Sequence, residues 1–388
     1  MVVWLAHKGR EWHNSAFLFI SKQGLCVRLL VLCLCLLSFN AFAVNVSDLY
    51  RVSVAVDDQS EESRKLGVQW AFQQLLIKIS GYQNVLENPT LVEASQNALR
   101  YMQGFSYHQD DADDQIYLQA WFSKALLIPL MRRAHAPIWG ENRPLLLNWL
   151  VVEPSGSVAD SNAVIFESTV NTKDSNRGAN KDGRLLVSEQ TRKLKARLEG
   201  AFSERGLPVL WPMDDLEDQL ALPLNQLWWL LSEPIIEASM RYQADAVLAG
   251  KLNQSAEGVW QYEGILFRGE QRLPIAAEGD SPLAALTNVS TEVGRFFADQ
   301  FAIKSDPMNG RSGIRILVKK VNDFSDYSKV LAYLQSISGV GLVEVAQVDG
   351  DNLQLYLNLE GDWDKVQRII RLDNKLSSLQ EKEFEWAR

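Results

Sequence analysis

Leu145 to Val152 forms a nearly continuous apolar run of strand length. A strand with so few polar positions belongs in the middle of a sheet, covered on both faces. Further elements for that sheet follow in the sequence. Ala244 to Leu252 reads as a second buried strand, through Asp245-Ala246-Val247-Leu248-Ala249-Gly250. Strands over 259–267 and 271–277 predict a hairpin around Gly269-Glu270. Helices separate them. Leu194, Leu198, Ala201 and Phe202 share one face of a helix that resumes near Ser188 and stops at Gly206, before a short strand at Leu207-Pro208-Val209-Leu210. Pro234 suits a helix start, continued by Ile235, Ala238, Ser239 and Tyr242. A long helix over 282–303 carries Leu286, Val289, Val293, Phe296 and Phe297.

The same reading divides the rest of the chain. In residues 44–137, Tyr50 to Val56 alternates like a strand, and Val68, Phe72, Leu75, Leu76 and Ile79 then line one helix face that ends at Gly81. A second helix is expected at about 89–103, a charged turn at Asp110–Asp114, a strand over Ile116–Phe122 and a helix at about 123–134. The central unit is 138–303, with 155–183 read as a mobile loop rich in Ser, Asn, Asp and Gly that holds one short strand at Val164-Ile165-Phe166. Residues 304–313 are a linker by composition. In 314–388 the order is strand, helix, two strands joined by Asp349-Gly350, and helix. That order predicts a ferredoxin-like unit whose last strand is missing or distorted. The expectation is an α+β or α/β chain of three small units, each a mixed sheet with helices packed on it.

Residues 1–43 read as a secretory signal. Lys22 and Arg28 precede the apolar stretch from Leu29 to Phe39, which is too short to span a bilayer, and Ala41-Phe42-Ala43 supplies a small-x-small cleavage pattern. Export to a Gram-negative periplasm is the expected location, with cleavage after Ala43. The three cysteines, Cys26, Cys33 and Cys35, all lie in that segment. The mature chain is therefore expected to be cysteine-free, without disulfide, thiolate nucleophile or cysteine-bound metal. Cleavage also removes Lys8, Arg10, Lys22 and Arg28 against Glu11, which leaves 35 basic and 47 acidic residues. That balance argues against nucleic acid or anionic lipid as a partner.

Catalytic patterns are hard to find. No Gly-x-Ser-x-Gly elbow and no Gly-rich phosphate loop is present. His135 sits at a helix end, where a plain electrostatic role suffices. His108 with Asp110, Asp111, Asp113 and Asp114 lacks the spacing of a calcium loop and reads as a charged turn. We therefore assign no catalytic residue, no metal site and no cofactor. The aromatics say more. Ten tryptophans follow the signal, and tryptophans anchor interfaces or stack on sugars. Trp139-Gly140-Glu141-Asn142-Arg143-Pro144 is the most distinctive stretch. Arg143 reads either as a grip on a carboxylate or sugar or as an internal clamp that pairs with an acid to pin two domains, and the second is preferred. Trp139, Arg143, Trp228 and Trp229 are the candidate interaction residues.

Several of these stretches carry a resemblance. Lys78-Ile79-Ser80-Gly81, Trp139-Gly140-x-x-Arg143-Pro144, Trp149-Leu150-Val151-Val152, Gly206-Leu207-Pro208-Val209, Pro212-Met213-Asp214-Asp215 and Arg241-Tyr242-x-Ala244-Asp245-Ala246-Val247-Leu248-x-Gly250 are similar to the uncharacterised periplasmic family DUF2066. The central segment more loosely resembles small α/β domains of envelope assembly proteins, which bind other proteins. The resemblance implies a non-enzymatic periplasmic scaffold or adaptor for envelope proteins, with no membrane span after cleavage. The alternative is a peptidoglycan- or glycan-binding protein or hydrolase, which predicts tryptophans lining a groove beside two carboxylates. Intact-mass measurement of the exported protein should give a chain that begins at Val44; a product that retains Cys33 would refute the cleavage assignment.

Overall fold

The computed structural model describes residues 48–109, 115–152, 189–304 and 313–387. The expected signal, the acidic turn, the loop 155–183 and most of the linker 304–313 lie outside the described residues. Strand β1 (Arg51–Val56) leads into helix α1 (Glu61–Ser80), whose start is capped by Ser60 Oγ accepting from Ser63 N at 3.2 Å. The face expected from spacing is the buried one: Val68, Phe72, Leu75, Leu76 and Ile79 have no exposed surface. They pack on Val52, Val56, Leu118, Ala120 and Phe122 of the adjoining strands. Burying each such side chain contributes roughly 1.5–3 kcal/mol.

Helix α2 (Pro89–Gln96) is shorter than expected, and a single 3-10 turn (Ala98–Arg100) separates it from the next strand. The helix predicted to run to about 103 ends seven residues earlier. Strand β2 (Met102–Gln109) pairs antiparallel with β3 (Ile116–Phe122), so the sheet order is β1-β3-β2 and all pairs are antiparallel. Sequence missed β2 because it is an edge strand with mostly exposed side chains and no regular apolar alternation. Helix α3 (Lys124–Arg133) closes this part, and a two-residue strand, β4 (Pro137–Ile138), leads out of it.

The apolar run from Leu145 to Val152 forms β5 (Leu146–Val152), an interior strand with a neighbour on each side. It is flanked by two parallel neighbours, β6 (Val209–Leu210) and β7 (Ala246–Gln254). Antiparallel β8 (Trp260–Arg268) and β9 (Gln271–Gly279) complete the order β6-β5-β7-β8-β9. One face of this sheet, through Leu146, Leu248 and Tyr262, packs on α4 (Glu189–Glu204) and α8 (Pro282–Phe301). The other face, through Leu147, Trp149 and Val151, is covered by two of three short helices, α6 (Leu224–Trp228) and α7 (Ser232–Ser239), with α5 (Leu216–Ala221) packed beside α7. Sequence found only the last of the three. Five- and six-residue helices hold too few turns to show a period.

After β10 (Ile303–Lys304), which pairs with β4, the C-terminal sheet has the order β12-β13-β11-β15-β14. Its members are β11 (Gly313–Lys319), β12 (Val340–Asp349), β13 (Asn352–Leu359), β14 (Leu376–Gln380) and β15 (Glu383–Trp386). Helices α9 (Phe324–Ser336) and α10 (Trp363–Leu372) join them. The order through α10 is ferredoxin-like. The end differs from expectation, because the last strand is present and doubled. β15 runs parallel to β11 and sits beside it, which pushes β14 to the sheet edge. The protein is thus an α+β chain of several units, and α8 shares one apolar cluster with both the central and C-terminal sheets.

Gly81 ends α1 in the left-handed region, with φ 80°. A Cβ there would stand 2.3 Å from Ala298 Cβ on α8 and 3.2 Å from the Trp139 ring. Gly81→Ala should therefore cost about 2–4 kcal/mol, from backbone strain plus overpacking. Chemical denaturation measures this, and an unchanged midpoint would refute the account.

Candidate functional site

Two of the four candidate residues are interior. Trp139 is fully buried, and its ring stacks on Phe301 of α8 with centroids 6.5 Å apart. Its backbone N–H donates to Ile79 O at 2.7 Å. The Arg143 guanidinium lies 3.7 Å from the Trp139 ring centroid, and the side chain is 2 % exposed. Neither can touch a docking partner, so their assignment as surface anchors is corrected here. The expected clamp exists in another form. Arg143 pairs with no acid among the described residues and donates to four backbone carbonyls instead. Nε reaches Gly140 O at 2.6 Å, and Nη2 reaches Trp139 O at 2.7 Å and Lys78 O at 2.9 Å. Nη1 reaches Arg205 O at 3.3 Å. Lys78 is in the last turn of α1, and Arg205 directly follows α4. The cation therefore sits at the negative ends of two helix dipoles.

Burial dominates the chemistry there. It pushes the Arg143 guanidinium down to about 9, with Tyr50 acting in the opposite direction. Lys78 is pushed down to about 8, first by burial and then by the Arg143 charge. Its ammonium donates to Arg51 O at 3.2 Å. On the far side of the same loop Asn142 hydrogen-bonds Asp373, whose carboxyl burial raises to about 6. These groups are braced by structural partners.

Trp228 and Trp229 are on the surface of the short-helix layer, but they differ. Trp228 is half-buried against the sheet cluster, with Lys251 Nζ 5.3 Å from its ring centroid. Trp229 is free of the core. Met213, Leu216, Leu220, Trp229 and Met240 are between 67 and 74 % exposed, and Leu231 is 46 % exposed. Six large apolar side chains within one stretch of 28 residues are far more than scattered exposure requires. Leu216 and Leu220 lie one turn apart on α5 and face outward together.

A polar clamp holds this layer in shape. Asp215 caps α5, its Oδ1 accepting from Asp218 N at 3.0 Å. Arg241 grips Asp215 with two bonds of 2.9 Å and reaches the buried Asp218 at 3.0 Å. Those Arg241 bonds hold the Asp215 carboxyl down to about 2. Asp218 also accepts from Asp214 N at 2.9 Å and from the Tyr242 hydroxyl. Met213 N donates back to Tyr242 Oη at 2.9 Å. Asp214, Leu230 and Gln243 adopt positive φ, of 56°, 51° and 50°. Such conformations in non-glycine residues persist only where the surroundings impose them. Sequence pointed to Trp229 alone among the exposed six. The others carried no such signal: residues 213, 216, 220, 224 and 227 fall at helical spacing, which reads as one buried helix face.

A family model described as a domain of unknown function (DUF8605) matches residues 43–140. This corrects the resemblance to DUF2066, since the matching domain is a different one. The match ends at Gly140, before Arg143 and before the short-helix layer. No curated protein matches the chain.

Lys78 generates a pH prediction. Its folded value, about 8, lies below its ordinary 10.5. The unfolded chain therefore binds more protons in between, and stability must rise with pH there. Thermal melts should show a gain of about 1 kcal/mol between pH 8 and 9 that Lys78→Met lacks. Identical pH profiles for the two proteins would contradict the assignment.

Proposed function

We propose that this chain is a non-enzymatic periplasmic adaptor that docks an envelope protein through the apolar surface of residues 213–240. The observation that carries the reading is the set of six exposed apolar side chains on a rigidly clamped layer. Exposed apolar area of this kind costs the free protein roughly 25 cal/mol per Å², and a partner that covers it recovers that energy. Trp229 is the central anchor, because a large amphipathic ring loses little entropy on docking. Asp214, Glu233 and Glu237 add acidic residues to the same stretch, beyond the Asp215, Glu217 and Asp218 carboxylates that Arg241 pairs, which favours a partner with basic residues around an apolar centre. No helix among the described residues is long and apolar enough to cross a membrane. An adaptor of this kind meets its partners in solution, after export.

The test uses in-cell crosslinking of the tagged protein and mass spectrometry of the captured envelope proteins. Trp228 is unsuited to mutation because it packs on the core. A variant with Trp229→Ala and Leu220→Ser removes exposed area only, so its melting temperature should stay near wild type. Recovery of one reproducible partner should fall about tenfold or more in that variant. Equal recovery from both proteins would refute the surface assignment.

A further inference from the structure

The cations of the N-terminal part are sorted in an uneven way. Residues 48–141 hold eight Lys and Arg. Five have partners. Arg51 pairs with Asp48 at 3.6 Å, Lys124 with Glu141 at 2.8 Å and Arg132 with Glu360 at 2.8 Å. The Arg64 guanidinium lies 5.4 Å from the Phe105 ring centroid, and Lys78 donates to Arg51 O. The remaining three, Lys65, Arg100 and Arg133, have no side-chain ion pair, hydrogen bond or ring contact among the described residues. All three line the same cleft.

That cleft has a volume of about 660 Å³, within the range of small-molecule sites. Lys65 reaches it from α1, Arg100 from the turn after α2, and Arg133 from the last turn of α3. Glu93 is the one carboxylate on its wall, and it pairs with none of the three cations. The chain as a whole carries a net charge of −9, so acids are plentiful in the sequence, yet at this spot one carboxylate faces three cations. Three like charges with a single carboxylate among them repel one another unless an anion joins them. Gln69, Thr90 and Asn97 add neutral polar groups to the same wall.

We infer that this cleft binds a small phosphate-bearing ligand, with Arg100 and Arg133 gripping its oxygens and Lys65 supplying the third positive charge. The planar guanidinium fork matches phosphate oxygens, and the ammonium acts as a point charge beside it. Three cations against Glu93 leave a net of two positive charges, which suits a phosphate dianion. The site lies on a different part of the fold from the docking surface, and neither reading depends on the other.

Isothermal titration calorimetry of the full chain at low chloride, with inorganic phosphate and with glycerol phosphate, tests this directly. Co-sedimentation with phosphatidylcholine vesicles that contain phosphatidic acid covers the same headgroup presented on a lipid. Saturable binding is expected, weakened about tenfold or more in the double variant Arg100→Gln, Arg133→Gln and also in Lys65→Gln alone. These side chains are exposed, so the variants should melt with wild type. Binding to soluble phosphate assigns the cleft to a free metabolite; binding to the vesicles alone, lost in the variants, assigns it to a lipid headgroup. Silence in every titration, or equal affinity in wild type and variants, overturns the inference.

Discussion

A guanidinium without a carboxylate holds the described fold together. Arg143 is taken out of water and given four backbone carbonyls in return. Two of these belong to the ends of α1 and α4, where orphan carbonyls need donors in any case. One side chain thus satisfies two helix ends and receives the negative ends of their dipoles. Lysine would not substitute, because a point charge on a flexible stem cannot direct donors to carbonyls in a fixed plane. Gly206, with φ 70°, must remain without a side chain there, since a Cβ would stand 3.0 Å from the Arg143 Nη1. Trp139 forms the floor under the guanidinium and passes the packing on to Phe301. The N-terminal sheet, the central sheet and α8 meet at this point.

That arrangement decides which surfaces remain open. The central sheet buries one face under α4 and α8, two long helices with wide apolar stripes. Its other face is covered by two helices of five and eight residues, with a third of six packed beside them. Short helices bury their inner residues, here Leu222, Leu227, Ile235 and Ala238, and turn too often to shelter the rest. The Asp218–Arg241–Tyr242 clamp then fixes the layer with its outer apolar residues in solvent. An exposed surface on a rigid support costs less entropy to dock than one on a loose loop. The matched family region, 43–140, stops short of this layer, so the open surface belongs to the part of the chain beyond that domain.

Much of the architecture was legible from spacing alone. The buried face of α1, the centrality of β5 and the β8–β9 hairpin came from periodicity and turn residues, because burial on one or both faces leaves a direct trace in residue type. The order through α10 also came from sequence. What escaped were elements that bury little. β2 lies at a sheet edge, α5 and α6 are too short for a period, and β14–β15 inserts in an order that no local pattern encodes.

For the site, sequence determined which residue types stand where: a Trp-Gly-x-x-Arg-Pro turn, a Trp-Trp pair, an acidic chain with its cations thinly spread. It did not determine which of these face inward. Trp and Arg are the residues of interface anchors and equally of internal clamps, since both combine a large apolar body with directed donors. Tertiary structure alone decided that Trp139 and Arg143 close the interior, that Trp229 stands in solvent, and that Lys65, Arg100 and Arg133 meet at one cleft from three separate segments. The reason is physical: exposure and charge compensation are properties of what packs nearby, and those neighbours come from distant parts of the chain.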